Sequence, residues 1–138
     1  MVGVLLITHG ATGAALLAAA AHVLGMPQAN VRAIAVDASD DAAALLAGAQ
    51  RDVAAIDDGA GVLVFTDIYG ATPSNIGARL LEPGHVEAVA GVNLPMLVRA
   101  LAYRALPLEQ VLVRAIEAGT RGQINIKEDA CHAAAGGS

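Results

Sequence analysis

Cysteine, aromatic residues and positive charge are all scarce in this chain. Its one cysteine, Cys131, cannot close an internal disulfide, which points to a reducing compartment and a cytoplasmic location. There is no Trp, one Phe and two Tyr, so the core has to be aliphatic and rich in alanine. Eight Lys and Arg stand against thirteen Asp and Glu, a net charge of -5, and no basic stripe is present, which argues against nucleic acid as a partner. No apolar run approaches the roughly 18 residues of a membrane span, and the N-terminus lacks the cationic region of a secretory signal, so membrane insertion is not expected. The P-loop, GxGxxG and GxSxG patterns are missing, which removes the motif basis for nucleotide, dinucleotide and esterase chemistry. The histidines have no metal-ligand spacing to carboxylates or to Cys131, and neither a metal nor a cofactor is expected.

What remains is strongly apolar: 56% of the residues are hydrophobic and the mean hydropathy is +0.58. At 138 residues the chain suits one domain that buries roughly 68–70% of its unfolded surface. Residues 2–10, VGVLLITHG, form a continuous apolar run bounded by glycine, as in a strand covered on both faces of a parallel sheet. Thr12 is placed to cap a helix that runs to about Leu24, where Gly25-Met26-Pro27 stops it. Residues 31–36 read as a second strand, and Ser39 or Asp40 as the cap of a helix ending near Ile56. A third strand at 61–66 is followed by a helix with Thr72 as its cap and Pro73 in its first turn, reaching about Leu81. Residues 86–92 make a fourth strand. Helices opening at Asn93-Leu94-Pro95 and spanning about 108–118 complete the pattern.

Strands alternating with helices predict an α/β fold: a doubly wound, mostly parallel sheet of four strands flanked by helices. The segment 123–127, QINIK, alternates polar and apolar residues, the pattern of an edge strand, and is expected to pair within the chain or be exchanged in a dimer. Residues 1–129 are expected to form a single α/β domain and 130–138 a disordered tail.

In such a sheet the carboxyl ends of the first and third strands share one edge, which places His9 and Asp67 together. A carboxylate that accepts from one ring N–H fixes the imidazole tautomer and leaves the other nitrogen as a directed nucleophile. The loop Gly70-Ala71-Thr72 precedes a helix N-terminus, whose backbone N–H groups and dipole favour an anion such as a phosphoryl group. Together these parts fit covalent phosphorylation of His9, with Asp67 balancing charge on the ring. The plainer alternative has His9 merely ending a strand. His22, in a helix, His85, in a turn, and His132, in the tail, read as exposed or structural.

ITHG at 7–10, TDIYGATPSN at 66–75 and GVNLPML at 91–97 resemble, in order, the three signatures of the mannose-type IIA components of the bacterial phosphoenolpyruvate-dependent phosphotransferase system. The resemblance implies that His9 is the phosphorylated histidine and Asp67 its paired aspartate. It implies phosphorylation by the carrier protein HPr, delivery to a IIB component, and a homodimer with exchanged C-terminal strands. Gly70, Thr72 and Pro73 match the family loop, while Ala71 stands where many members carry a second glycine, a change that restricts φ. Asn93 and Pro95 match the third signature, either shaping the loop into the fourth helix or touching phosphate or partner. Some members continue into a IIB domain; this sequence stops, so the acceptor is expected to be a separate IIB protein. A regulatory phosphoprotein, or the related subunit that phosphorylates dihydroxyacetone kinase, are the alternative readings.

Overall fold

The computed structural model describes residues 1–128. Strands β1 (Gly3–His9), β2 (Val31–Val36), β3 (Val62–Thr66) and β4 (Val86–Ala90) form one sheet in the order β2-β1-β3-β4, with every neighbouring pair parallel. Helices α1 (Thr12–Leu24), α2 (Ala42–Ile56), α3 (Thr72–Arg79), α4 (Leu94–Ala102) and α5 (Leu108–Arg121) cover both faces. Period-two alternation distributes the strand residues. Val4, Leu6, Leu63 and Phe65 pack under α1, α4 and α5, whereas Leu5, Ile7, Val62 and Val64 pack under α2 and α3. Both central strands are therefore apolar on each face, which is why they read as unbroken hydrophobic runs.

The connection leaving β1 goes outward to β2, while that leaving β3 goes the opposite way to β4. The divergence opens a crevice at the carboxyl ends of β1 and β3, the topological switch point of the sheet. His9 closes β1 there, and Asp67 follows β3 directly.

Helix boundaries differ from the sequence expectations mainly at their caps. Ala11 and Ala71, not Thr12 and Thr72, occupy the capping positions of α1 and α3, and neither threonine caps with its side chain. Asp41, one residue beyond the expected pair, caps α2 by accepting from the Ala44 N–H. α3 ends at Arg79 rather than near Leu81, and α5 continues to Arg121.

The expected edge strand at residues 123–127 is not formed in this chain. Residues 123–125 have no regular structure and 126–128 make a helical turn. The local reason is Asn125, whose Oδ1 accepts the N–H groups of Lys127 and Glu128 and so starts a turn. Alternation reveals which side chains share a face but does not supply a strand to pair with. The expected tail at 130–138, with Cys131 and His132, lies outside the described residues. Among the described residues no helix is long and apolar enough to cross a membrane.

Candidate functional site at the carboxyl edge

β1 and β3 run in register as parallel neighbours, and this alone brings residues 58 apart in sequence into contact. Asp67 Oδ2 accepts the main-chain N–H of His9 at 2.8 Å and faces its ring Nδ1 at 2.8 Å. Oδ1 of the same carboxylate accepts the Ile68 N–H at 2.9 Å. Burial pushes the Asp67 carboxyl upward, but the bonds from the His9 N–H, the His9 ring and the Ile68 N–H outweigh it and hold the group below its ordinary value. An ionised carboxylate can only accept, so Nδ1 carries the proton, and in the neutral imidazole Nε2 holds the lone pair. The Asp67 side chain is 16% exposed and that of His9 is 52% exposed, so the anchoring carboxylate is sheltered while the imidazole side chain meets solvent.

Two further contacts fix the base of this pair. Thr8, fully buried, accepts the Gly13 N–H on its hydroxyl at 2.7 Å and draws the start of α1 onto β1. The Gly10 N–H bonds to the Val36 carbonyl, tying the loop after His9 to β2.

On the other side of the crevice the chain turns from Asp67 into α3. Gly70 makes the turn at φ +86°, a conformation that suits glycine. Its N–H is not free: it donates to Ser74 Oγ at 2.8 Å. Of the three residues expected to offer N–H groups to a phosphoryl group, only Ala71 and Thr72 therefore keep theirs without a protein acceptor among the described residues. Ala71 takes an extended conformation at φ -112°, which its Cβ tolerates, so alanine in place of a second glycine imposes no strain. Ile68 and Tyr69 stand out into solvent beside the site, Tyr69 at 86% exposure.

Asn93 is committed within the fold. Its Oδ1 accepts the Met96 N–H and caps α4, and its Nδ2 donates to the Gly119 carbonyl of α5. Of its two possible roles the structure displays loop shaping. Neither His22, in the last turn of α1, nor His85 joins His9. His85 instead pairs through Nε2 with Asp57 at the opposite edge of the sheet, where Asp57 also accepts from the Gly59 and Gly61 N–H groups. A concavity of about 810 Å³ opens at that same far edge, lined by Gly84, Glu87 and Leu106 among others, and shares no residue with the His9 site. Among the described residues no three His, Cys, Asp or Glu side chains gather as a metal site would require.

Ser74 and Thr8 are the contributors that sequence reasoning did not single out. The signal for Ser74 was its place in the first turn of a helix, four residues after a loop glycine, where a short hydroxyl can reach back to the backbone.

Comparison with known proteins places this geometry in context. A family model described as EIIA-man, PTS system fructose IIA component, matches residues 3–117. The chain is 34% identical over 118 residues to the PTS system mannose-specific EIIAB component of Escherichia coli K12, a match that covers 83% of this chain but 36% of that protein, so it spans about a third of the relative's length. Among solved structures it resembles the phosphotransferase system component EIIA from Streptococcus agalactiae, with a TM-score of 0.82 at 23% identity over 93% of this chain and 99% of the other. It also resembles the mannose/sorbose specific IIA subunit from Enterococcus faecalis, with a TM-score of 0.72 at 25% identity over 90% and 93% of the two chains.

Proposed function

The chain belongs to the EIIA-man family of phosphotransferase-system IIA components, and from that premise we propose that it is a cytoplasmic phosphocarrier that takes a phosphoryl group on His9 from phosphorylated HPr and passes it to a IIB component. The observation that carries this reading is the double hold of Asp67 on His9, which engages Nδ1 and leaves Nε2 free on a side chain that is half exposed.

In the transfer, His9 Nε2 attacks the phosphorus of the donor's phosphohistidine. The new N–P bond forms as the old one breaks, and the electron pair of the broken bond returns to the donor nitrogen. The Nδ1 proton stays between the ring and Asp67, whose charge offsets the positive charge gained by the phosphorylated imidazole. The N–H groups of Ala71 and Thr72, at the N-terminus of α3, support the phosphoryl oxygens. Hand-off to the IIB protein runs the same step in reverse toward a new nitrogen or sulfur nucleophile. No proton has to leave His9 at any point, so the site needs no separate base.

The chain is proposed to work as a homodimer. β4 is an edge of the sheet, and a groove lined by Val89, Gly91, Ile116 and Gln123, among others, runs beside it. Residues 123–127 of a second copy have the alternation suited to that open edge.

The test is incubation with phosphoenolpyruvate, Enzyme I and HPr. An acid-labile, alkali-stable phosphate is expected on the protein and not on His9→Ala; its absence from the former, or its persistence in the latter, rejects the reading.

A further inference from the structure

We infer that Ser74 is a positioning residue for phosphoryl transfer: through one hydroxyl it sets the direction of the Thr72 N–H that meets the phosphoryl oxygens. The inference rests on the phosphocarrier reading and adds to it a residue that does not touch the reacting atoms.

Ser74 Oγ makes two bonds of opposite sense. It accepts the Gly70 N–H at 2.8 Å and donates to the Ala71 carbonyl at 3.0 Å. The Ala71 carbonyl also accepts the Asn75 N–H at 3.0 Å, so this oxygen is held toward the helix from two sides. A trans peptide is planar, and its N–H points opposite to its C=O. With the Ala71 carbonyl drawn inward, the Thr72 N–H of the same peptide has to point outward, away from α3. The Gly70 N–H, turned in to Ser74, fixes the Tyr69–Gly70 peptide in the same way, and the φ of +86° at Gly70 lets the chain pass from Asp67 into this arrangement.

Ala71 has no side-chain acceptor with which to cap α3, and Ser74 supplies a different local bond. The third helical residue reaches back to bind the N–H two positions before the helix, in the manner of the return half of a capping box. This return bond closes the loop from behind. It satisfies one backbone donor and leaves the donors of Ala71 and Thr72, at the carboxyl edge that His9 shares, without a protein acceptor among the described residues. Ser74 is half-buried, so the hydroxyl can be removed without opening a large cavity.

The experiment uses the full chain with phosphorylated HPr in single-turnover transfer, comparing Ser74→Ala and Ser74→Thr with the unaltered protein and with His9→Ala. Misdirected donors slow the chemical step without altering how the donor protein docks. Ser74→Ala is expected to lower the maximal transfer rate about tenfold with the half-saturating HPr concentration unchanged. Ser74→Thr, which restores the hydroxyl, is expected to recover most of that rate. A second measurement is independent of turnover: amide exchange at Gly70 is expected to be slow in the unaltered protein and in Ser74→Thr, and fast in Ser74→Ala. Transfer by Ser74→Ala at the unaltered rate, or Ser74→Thr as slow as Ser74→Ala, overturns the role of Ser74 alone. Label retained by His9→Ala overturns the phosphocarrier reading beneath it.

Discussion

A single oxygen of Asp67 holds both the backbone and the ring of His9: Oδ2 lies 2.8 Å from the main-chain N and 2.8 Å from Nδ1. The backbone bond fixes where the aspartate sits relative to β1, so the ring bond is made to a carboxylate that is already placed. Such an arrangement orients the imidazole without asking two mobile side chains to find one another.

The first prediction follows from that geometry. Asp67→Asn keeps the shape but removes the charge and offers an N–H₂ where an acceptor is required. Loss of an orienting partner typically costs 10–100-fold, and phosphoryl transfer to His9 is expected to slow by roughly that factor in rapid-quench kinetics. Asp67→Ala, which removes the backbone bond too, should be slower still. An Asp67→Asn rate equal to that of the unaltered protein would refute the role given to the carboxylate.

Acid should weaken the fold through Asp67 and Asp57 alike. Burial works to raise the Asp67 carboxyl, yet its bonds from His9 and Ile68 keep it below 3.8. The Gly59 N–H leads the bonds that, against burial, hold Asp57 below the same value, with His85 and Gly61 contributing. A group lowered in the folded state adds stability that is present above its unfolded value and disappears as pH falls through the lowered one. Denaturant midpoints measured between about pH 5 and about pH 2 should therefore fall less steeply in Asp57→Asn and Asp67→Asn than in the unaltered protein.

Glycines near the far edge give a paired test of packing. A Cβ at Gly61, where φ is +93°, would stand 2.5 Å from the His85 carbonyl oxygen, whereas one at Gly59, φ +106°, meets nothing within 4 Å. Both alanine variants bear backbone strain of about 1–3 kcal/mol. Only Gly61→Ala adds a clash with main chain that cannot rotate away, so it should lose about 2 kcal/mol more than Gly59→Ala by equilibrium denaturation.

The sheet and its order of elements were legible because both central strands are covered on each face, and apolar runs such as VLLI and VLVF have few other uses. The meeting of His9 and Asp67 was legible for a topological reason: strand ends at a switch point are neighbours whatever the loops do. The helix caps were not, since Ser39, Asp40 and Asp41 are chemically equivalent candidates and only backbone angles choose among them. Nor was the fate of the Gly70 N–H, because a serine in the first turn of α3 can face solvent or reach back, and sequence does not distinguish the two. Residues 123–127 form no strand within the single chain, where the local bonds of Asn125 compete with the strand pattern.

Arg104 supplies a fourth prediction. It is 5% exposed, and its guanidinium donates to the carbonyls of Val2, Ala29 and Asn30, binding the start of β1 and the loop before β2 to the turn after α4. Arg104→Met retains most of the packing volume but strands carbonyl oxygens in a buried place. Each such group costs about 1–3 kcal/mol, so a loss of about 2–4 kcal/mol is expected in chemical denaturation. Arg104→Lys should recover little of it, because an ammonium lacks the planar fork that reaches three acceptors. Transfer to His9, on the opposite edge, should persist in whatever fraction remains folded.

The last prediction concerns the segment that does not form a strand in the single chain. Ile124 and Ile126 are 61% and 82% exposed, an arrangement that leaves two large apolar side chains in water. Burying an isoleucine gains about 1.5–3 kcal/mol, and in a symmetric exchange four would be covered at once while β4 gains a partner along its open edge. Sedimentation should find the unaltered protein dimeric at micromolar concentration, and the double variant Ile124→Lys, Ile126→Lys monomeric. If residues 123–127 are instead a surface turn, as Asn125 favours in isolation, the double variant will sediment as the unaltered protein does and be no less stable. The two outcomes separate a segment that waits for a second copy from one that has already found its structure.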